Sequence, residues 1–97
     1  MIKVKKDKNI ITISGHANYD KYGNDIVCSS VSSIVYTTIN GILNFNSNSL
    51  KVTDNDTLTI EVLSNDEVTT KLIDNMMLLL EDVKLQYPKN ISISKGE

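Results

Sequence analysis

The spacing of apolar residues changes repeatedly along the chain, and these changes limit the possible folds more than any other feature. Apolar and polar residues alternate in 2–6 and 58–62, and β-branched residues fill 10–14, as expected of strands. From 26 to 42 and from 68 to 83, apolar residues instead recur every three or four positions, which is the period of an amphipathic helix. The periodicity therefore predicts strands and helices that alternate along one short chain.

Polar turns separate the predicted strands. Asp7, Lys8 and Asn9 separate the first two strands, and Asn55 with Asp56 separates the segment 50–54 from the next strand, so two hairpins are expected. A last short strand is expected at 91–94. The predicted fold class is α/β in the α+β sense. It is a small, mostly antiparallel sheet with two helices on one face, in the order ββ-α-ββ-α-β.

The helix ends carry local signals. Asp25 or Asn24 is suited to cap the first helix. Ser64 and Glu67 match a capping box for the second helix, and Pro88 should stop that helix at or before Tyr87. The predicted buried faces are Val27, Val31, Ile34, Val35, Thr38, Ile39 and Ile42 in the first helix, and Val68, Leu72, Met76, Leu79, Leu80 and Val83 in the second.

Length and composition predict one domain, residues 1–97, located in the cytoplasm. No run of 18 apolar residues is present, so no membrane-spanning segment is expected. The basic N-terminus is not followed by the apolar segment of a signal peptide. The net charge is −2, and all ten basic residues are lysine, which argues against direct binding of nucleic acid.

The chain has one histidine and one cysteine, His16 and Cys28, twelve positions apart. One cysteine forms no internal disulfide, and this pair is too small for a structural zinc site. Gly15 permits a sharp backbone turn just before His16. The loop 15–25 is long for so short a chain, and long ordered loops in compact domains are often functional.

Cys28 falls in the first turn of the predicted helix, where unpaired N–H groups and the helix dipole favour a thiolate. His16 is the only imidazole that can accept the thiol proton. Together they suggest acyl transfer, with helical N–H groups near Cys28 and loop amides receiving the oxyanion. Asp25 has two possible roles: it caps the helix, or it orients His16 through the second ring N–H.

Two other interpretations remain open at this level. A lone cysteine at the edge of an apolar face is often a small buried hydrophobe, which would make the chain a non-catalytic binding module. A metal site formed by His16, Asp20 and Asp25 is a further alternative, but no ligand spacing supports it. We expect no metal and no cofactor.

Several short motifs resemble the ribosomal-processing cysteine protease family Prp, also described as YsxB-like. They are Gly15-His16-Ala17, Tyr22-Gly23, Asp25-Ile26-Val27-Cys28 and Ser32, and the resemblance extends over nearly the whole chain. One departure is visible, since relatives often carry Ala-Gly after the cysteine and this chain carries Ser29-Ser30. The hydroxyls of these serines are candidates to alter hydrogen bonding around the thiolate.

The resemblance implies a homodimeric cysteine endopeptidase needed for ribosome maturation. If Cys28 were structural, the alternative would be a non-catalytic, dimeric, ribosome-associated binding module. Its substrate would be the N-terminal extension of one large-subunit ribosomal protein, the twenty-seventh of its series. By position, Cys28 would be the nucleophile and His16 the general base. The supporting residues would be Gly15, Asp25 and Ser32, and the substrate loop would contain Ala17, Tyr22 and Gly23.

The second helix also suggests a partner surface. Leu78 and Leu85 lie seven positions apart, roughly opposite the predicted buried face of that helix. Exposed leucines in register are typical of a contact surface, so these two are candidates for the dimer interface. A second buried edge, or scattered surface leucines, would give the same pattern.

Overall fold

The computed structural model describes residues 1–21 and 25–96, which form five strands and two helices. The strands are β1 (Ile2–Asp7), β2 (Ile10–Ser14), β3 (Leu50–Asp54), β4 (Leu58–Val62) and β5 (Ile91–Lys95). The helices are α1 (Ile26–Phe45) and α2 (Glu67–Gln86). This element order confirms the predicted fold class, including both hairpins and the final strand.

The strands form one sheet in the order β3-β4-β2-β1-β5. All neighbouring pairs are antiparallel except β1 and β5, which are parallel. The parallel pair arises because α2 is a crossover connection, so β5 runs in the same direction as β4 and β1. The sheet is therefore mostly antiparallel, as predicted, and its parallel edge brings the end of the chain beside the beginning.

One face of the sheet is apolar and buried, and the other is polar and open. The register aligns Val4 with Ile13 and Ile11 with Ile60 on the buried face. Lys3 and Lys5 are exposed on the opposite face. The buried side chains of both helices join the apolar face in one core. Helices on one side of an antiparallel sheet account for this division.

Helix α1 follows the sequence prediction closely. Its N-cap is Asp25, and its buried residues are Val27, Val31, Val35, Ile39 and Ile42. The two other residues of the predicted face, Ile34 and Thr38, are half-buried. This helix is also long and apolar enough, with a mean hydropathy of 1.5, to cross a membrane by length and composition alone. That is weak evidence for a membrane span, because the core helix of a soluble protein meets the same criterion.

Helix α2 differs from the prediction at two points. Its N-cap is Asp66, whose carboxylate accepts the N–H of Thr69 at 2.8 Å, so the capping box that begins at Ser64 is wrong. Ser64 instead donates its hydroxyl to Asp66. The buried residues are Thr69, Ile73, Met76, Met77, Leu80 and Val83, whereas Val68 and Leu79 are exposed. The helix ends at Gln86, as the position of Pro88 predicts.

Candidate active site

The strand register brings the candidate residues to one edge of the sheet. The beginning of β1, the ends of β2 and β3, and the beginnings of β4 and β5 all meet there. The segment 15–21 leaves this edge directly after β2. The first turn of α1 lies close by, because Gly15 and Cys28 line the same cavity. Residues far apart in the sequence therefore surround the cysteine.

Gly15 makes the turn that carries the chain from β2 to His16. Its φ is +85°, in the left-handed region, and a Cβ atom at this position would collide with the carbonyl oxygen of Met1. Both facts require glycine. Asn18, on the other side of His16, also has a left-handed φ of 57°, which asparagine tolerates better than most residues.

Asp25 links the histidine loop to the cysteine helix. One carboxylate oxygen accepts the N–H groups of Val27, at 2.9 Å, and Cys28, at 3.1 Å. The other oxygen accepts the N–H groups of Tyr19, at 2.9 Å, and Asp20, at 3.3 Å. One buried side chain therefore caps α1 and also fixes the loop.

The charge of this carboxylate is stabilised by its backbone donors. Burial by itself would raise the pKa of Asp25, but the N–H groups of Cys28, Asp20, Tyr19 and Val27 outweigh it, and the pKa lies below its ordinary value. Of the two roles that the sequence leaves open for Asp25, the structure shows the cap. The N–H groups of Val27 and Cys28 are already bound to Asp25, which corrects the expectation that helical N–H groups beside Cys28 receive the oxyanion.

Cys28 and His16 line one cavity of about 500 Å³. Cys28 is half-buried in the first turn of α1, and His16 is exposed on the loop. The remaining lining residues are Asn18, Asp20, Asp25, Ser29 and Ser32. The structure therefore brings together the two residues that the sequence predicts to be catalytic, and it adds the predicted supporting residues Asp25 and Ser32.

The Ala17 peptide lies between the cysteine and the far end of the chain. Its N–H donates to Sγ of Cys28 at 3.4 Å, and its side chain is only 1% exposed. Its carbonyl oxygen accepts Nδ2 of Asn90 at 2.9 Å. The Ala17 peptide therefore connects the cysteine sulfur to the residue that precedes β5.

Asn90 and Tyr87 are site residues that the sequence reasoning missed. Asn90 precedes β5, and its side chain reaches the loop across 73 positions of sequence. Tyr87 caps the end of α2 and makes an edge-to-face contact with the ring of Tyr19, with 5.1 Å between the ring centres. The α2 crossover is a signal for parallel pairing of β5 with β1. A prediction of that pairing would have placed Asn90 and Tyr87 near the loop.

The serines after Cys28 hydrogen-bond to the helix. The hydroxyls of Ser29 and Ser30 both donate to the carbonyl oxygen of Ile26, at 3.2 and 2.7 Å. Ser32 lies one helical turn after Cys28 and lines the same cavity. The predicted loop residues Tyr22 and Gly23 lie outside the described residues.

Metal ligands do not cluster in the described part of the chain. Within residues 1–21 and 25–96, no group of three or more histidine, cysteine, aspartate or glutamate side chains is placed to hold a metal ion. His16, Asp20 and Asp25 share a cavity wall but do not form such a group.

Comparisons with known proteins agree with this geometry. A family model described as cysteine protease Prp matches residues 1–92. The ribosomal processing cysteine protease Prp of Mycoplasma pneumoniae is 34% identical over 95 residues, which is 95% of this chain and 92% of that protein. Two crystal structures of an essential ribosomal processing protease Prp from S. aureus share the fold. The complex with a covalently linked product peptide has a TM-score of 0.92 at 24% identity, over 98% of this chain and 99% of that one. The complex with a substrate peptide has a TM-score of 0.85 at 23% identity, over the same shares.

Proposed function

The chain belongs to the cysteine protease Prp family, and from this premise we propose that Cys28 and His16 are its nucleophile and general base. The main support is the arrangement at the sulfur. Cys28 shares a cavity with His16 and accepts the N–H of Ala17, the residue that follows His16. The same arrangement argues against a purely structural cysteine, whose sulfur would be enclosed by apolar side chains.

The reaction is a two-step acyl transfer. His16 accepts the proton of the Cys28 thiol, and the thiolate attacks the carbonyl carbon of the scissile peptide. The C–N bond then breaks as His16 returns the proton to the leaving amine, which leaves a thioester on Cys28. Water, deprotonated by His16, attacks the thioester. The C–S bond breaks, the acid is released, and the proton returns to the cysteine sulfur.

The supporting residues position these groups. Gly15 turns the chain from β2 into the segment that carries His16, and Asp25 fixes that segment to the first turn of α1 through both carboxylate oxygens. Ser32 lines the cavity one helical turn from Cys28, where a bound peptide would contact it. The predicted loop residue Ala17 anchors the segment through its buried methyl group.

The proposed substrate is the N-terminal extension of a large-subunit ribosomal protein. Support comes from the relatives described as ribosomal processing proteases, and from the S. aureus protein that holds a covalently linked product peptide. We also propose that residues 1–97 act as one catalytic domain in the cytoplasm and as a homodimer. Leu78 and Leu85 are 66% and 79% exposed on α2, which is compatible with a partner surface there.

Incubation with the unprocessed ribosomal precursor, followed by mass spectrometry of the product, tests the proposal. The native chain should remove the extension, whereas Cys28→Ala and His16→Ala should leave the precursor intact. Ser33→Ala is a matched control, because Ser33 is exposed on the same helix and does not line the cavity with Cys28. Cleavage by Cys28→Ala would refute the assignment.

Thiol reactivity separates the protease from the non-catalytic binding module. A nucleophilic cysteine should react quickly with iodoacetamide near neutral pH. Slow alkylation of Cys28, at a rate limited by unfolding of the protein, would instead support the binding module.

A further inference from the structure

A second cavity meets the first one at the cysteine. It also measures about 500 Å³, and it shares His16, Cys28 and Ser32 with the cavity described above. Its other lining residues are Ile2, Ile13, Gly15, Val31, Asp54 and Asn55. A peptide whose carbonyl carbon lies at the sulfur must extend in both directions from that atom, so each cavity is placed to take one side of the peptide.

The second cavity combines an apolar floor with an acidic rim. Ile2, Ile13 and Val31 form the floor, with Ile2 and Val31 contributed by the protein core. Asp54 stands on the rim at the end of β3. A side chain with an alkyl stem and a charged tip fits both parts, because its stem covers apolar surface while its tip reaches the carboxylate.

The carboxylate on the rim is held in place and is not neutralised by a lysine. Oη of Tyr36, on α1, donates to Oδ2 of Asp54 at 2.6 Å. That hydrogen bond raises the pKa of Tyr36, with burial and the negative charge of Asp54 adding to the effect. The one ion pair that a lysine forms among the described residues joins Lys71 and Glu67, on α2. Asp54 is therefore a fixed negative charge that faces the cavity.

We propose that this second cavity is a substrate subsite for a lysine or arginine side chain close to the scissile bond, with the alkyl stem on Ile2, Ile13 and Val31 and the cationic tip at Asp54. The inference rests on the proposed protease function, and it adds a specificity-determining residue to it. Tyr36 is a positioning residue for Asp54 and does not touch the substrate.

The test uses synthetic peptides that span the cleavage junction, with lysine, norleucine or glutamate placed in turn at three positions on each side of the scissile bond. At one position the native protein should cleave the lysine peptide about two to five times more efficiently than the norleucine peptide, the range expected of a solvent-exposed ion pair. Asp54→Asn should remove that preference, and added salt should reduce it. Tyr36→Phe should weaken it without abolishing it.

Asp56→Asn is the matched control, because Asp56 is exposed in the same hairpin turn and does not line the cavity. Equal cleavage of lysine and norleucine peptides at every position would overturn the inference, as would a lysine preference that survives Asp54→Asn. Binding of fluorescent peptides to Cys28→Ala separates the two levels. Charge-dependent binding without cleavage by the native chain would refute the protease function and keep the subsite. Binding that ignores peptide charge would refute the subsite.

Discussion

Replacement of Asn90 by alanine tests whether the far end of the chain controls the reactivity of the cysteine. Nδ2 of Asn90 donates to the Ala17 carbonyl oxygen at 2.9 Å, and the N–H of Ala17 donates to the Cys28 sulfur at 3.4 Å. The substitution removes the donor that fixes the Ala17 segment. The segment should then move away from the sulfur, although the side chains of Cys28 and His16 both remain present.

The size of the effect follows from the bond that is lost. A neutral hydrogen bond contributes about 0.5–1.5 kcal/mol to stability, and Ala17 is buried, so its carbonyl group has few alternative partners. If that free energy is expressed at the thiolate, about 1.4 kcal/mol corresponds to a tenfold change in rate. We therefore expect alkylation of Cys28 at neutral pH, and cleavage of the precursor, to slow by about two- to tenfold.

Asn9→Ala is the matched control for this measurement. Nδ2 of Asn9 also donates to a backbone carbonyl far away in sequence, that of Val62, at 3.3 Å, but at the opposite edge of the sheet. The control should lose no more stability in urea than Asn90→Ala and should keep native alkylation kinetics. Asn90→Asp, which replaces the donor by an oxygen, should slow alkylation more than Asn90→Ala. Equal alkylation rates in Asn90→Ala and Asn9→Ala would refute the positioning role.

Two further predictions concern the loop. Gly15→Ala should destabilise the protein by about 1–3 kcal/mol in urea denaturation, because it places a side chain at positive φ against Met1. Gly41→Ala, in an open position on α1, should instead stabilise it by up to about 1 kcal/mol. Equal effects of the two substitutions would contradict the backbone argument. The pKa of Asp25 is lower in the folded chain than the ordinary 3.8, so its contribution to stability is complete above that pH and is lost as the pH falls through the folded value. The stability difference between the native chain and Asp25→Asn, measured from pH 6 to pH 2, should therefore shrink below about pH 4, and a constant difference would show that the charge is unimportant.

Local signals predicted most of the fold. Helix α1 begins at Ile26 because Asp25, one of the two cap candidates, stands directly before the apolar face, and Pro88 ends α2 without reference to tertiary structure. The start of α2 was harder to predict, because Ser64 and Asp66 both match cap patterns and only the folded chain shows which carboxyl or hydroxyl group reaches Thr69. Asp66 is the N-cap because it stands directly before Glu67, the first helical residue.

The buried face of α2 could not be fixed from periodicity alone. Apolar residues cover a wide face of this helix, so two narrower faces, one through Leu72 and Leu79 and one through Ile73 and Met77, fit the same spacing. Packing against α1 and the sheet selects the second face. Thr69 can be buried on this face although it is polar, because its hydroxyl donates to Asp66 at 2.9 Å.

The site was predicted only where its residues are close in sequence. Cys28, His16, Gly15 and Asp25 lie within fourteen positions and carry their own local chemistry. The other contributors, such as Asn90 and Asp54, reach the cysteine through strand pairing, and the register of that pairing depends on the whole sheet. A single sequence therefore points to candidate catalytic groups more readily than to the residues that surround them.

The double attachment of Asp25 restricts what evolution or design can place at that position. Serine and threonine, the common substitutes at the start of a helix, offer one side-chain oxygen, which would be spent on Val27 and Cys28. The N–H groups of Tyr19 and Asp20 would then lose their acceptor. Such a variant would keep its helix content, but the segment that carries His16 would no longer be attached to the helix that carries Cys28. The aspartate carboxylate has one oxygen for the helix N–H groups and one for the loop N–H groups. Glutamate, which is one methylene longer, would place its oxygens too far away to make both sets of hydrogen bonds.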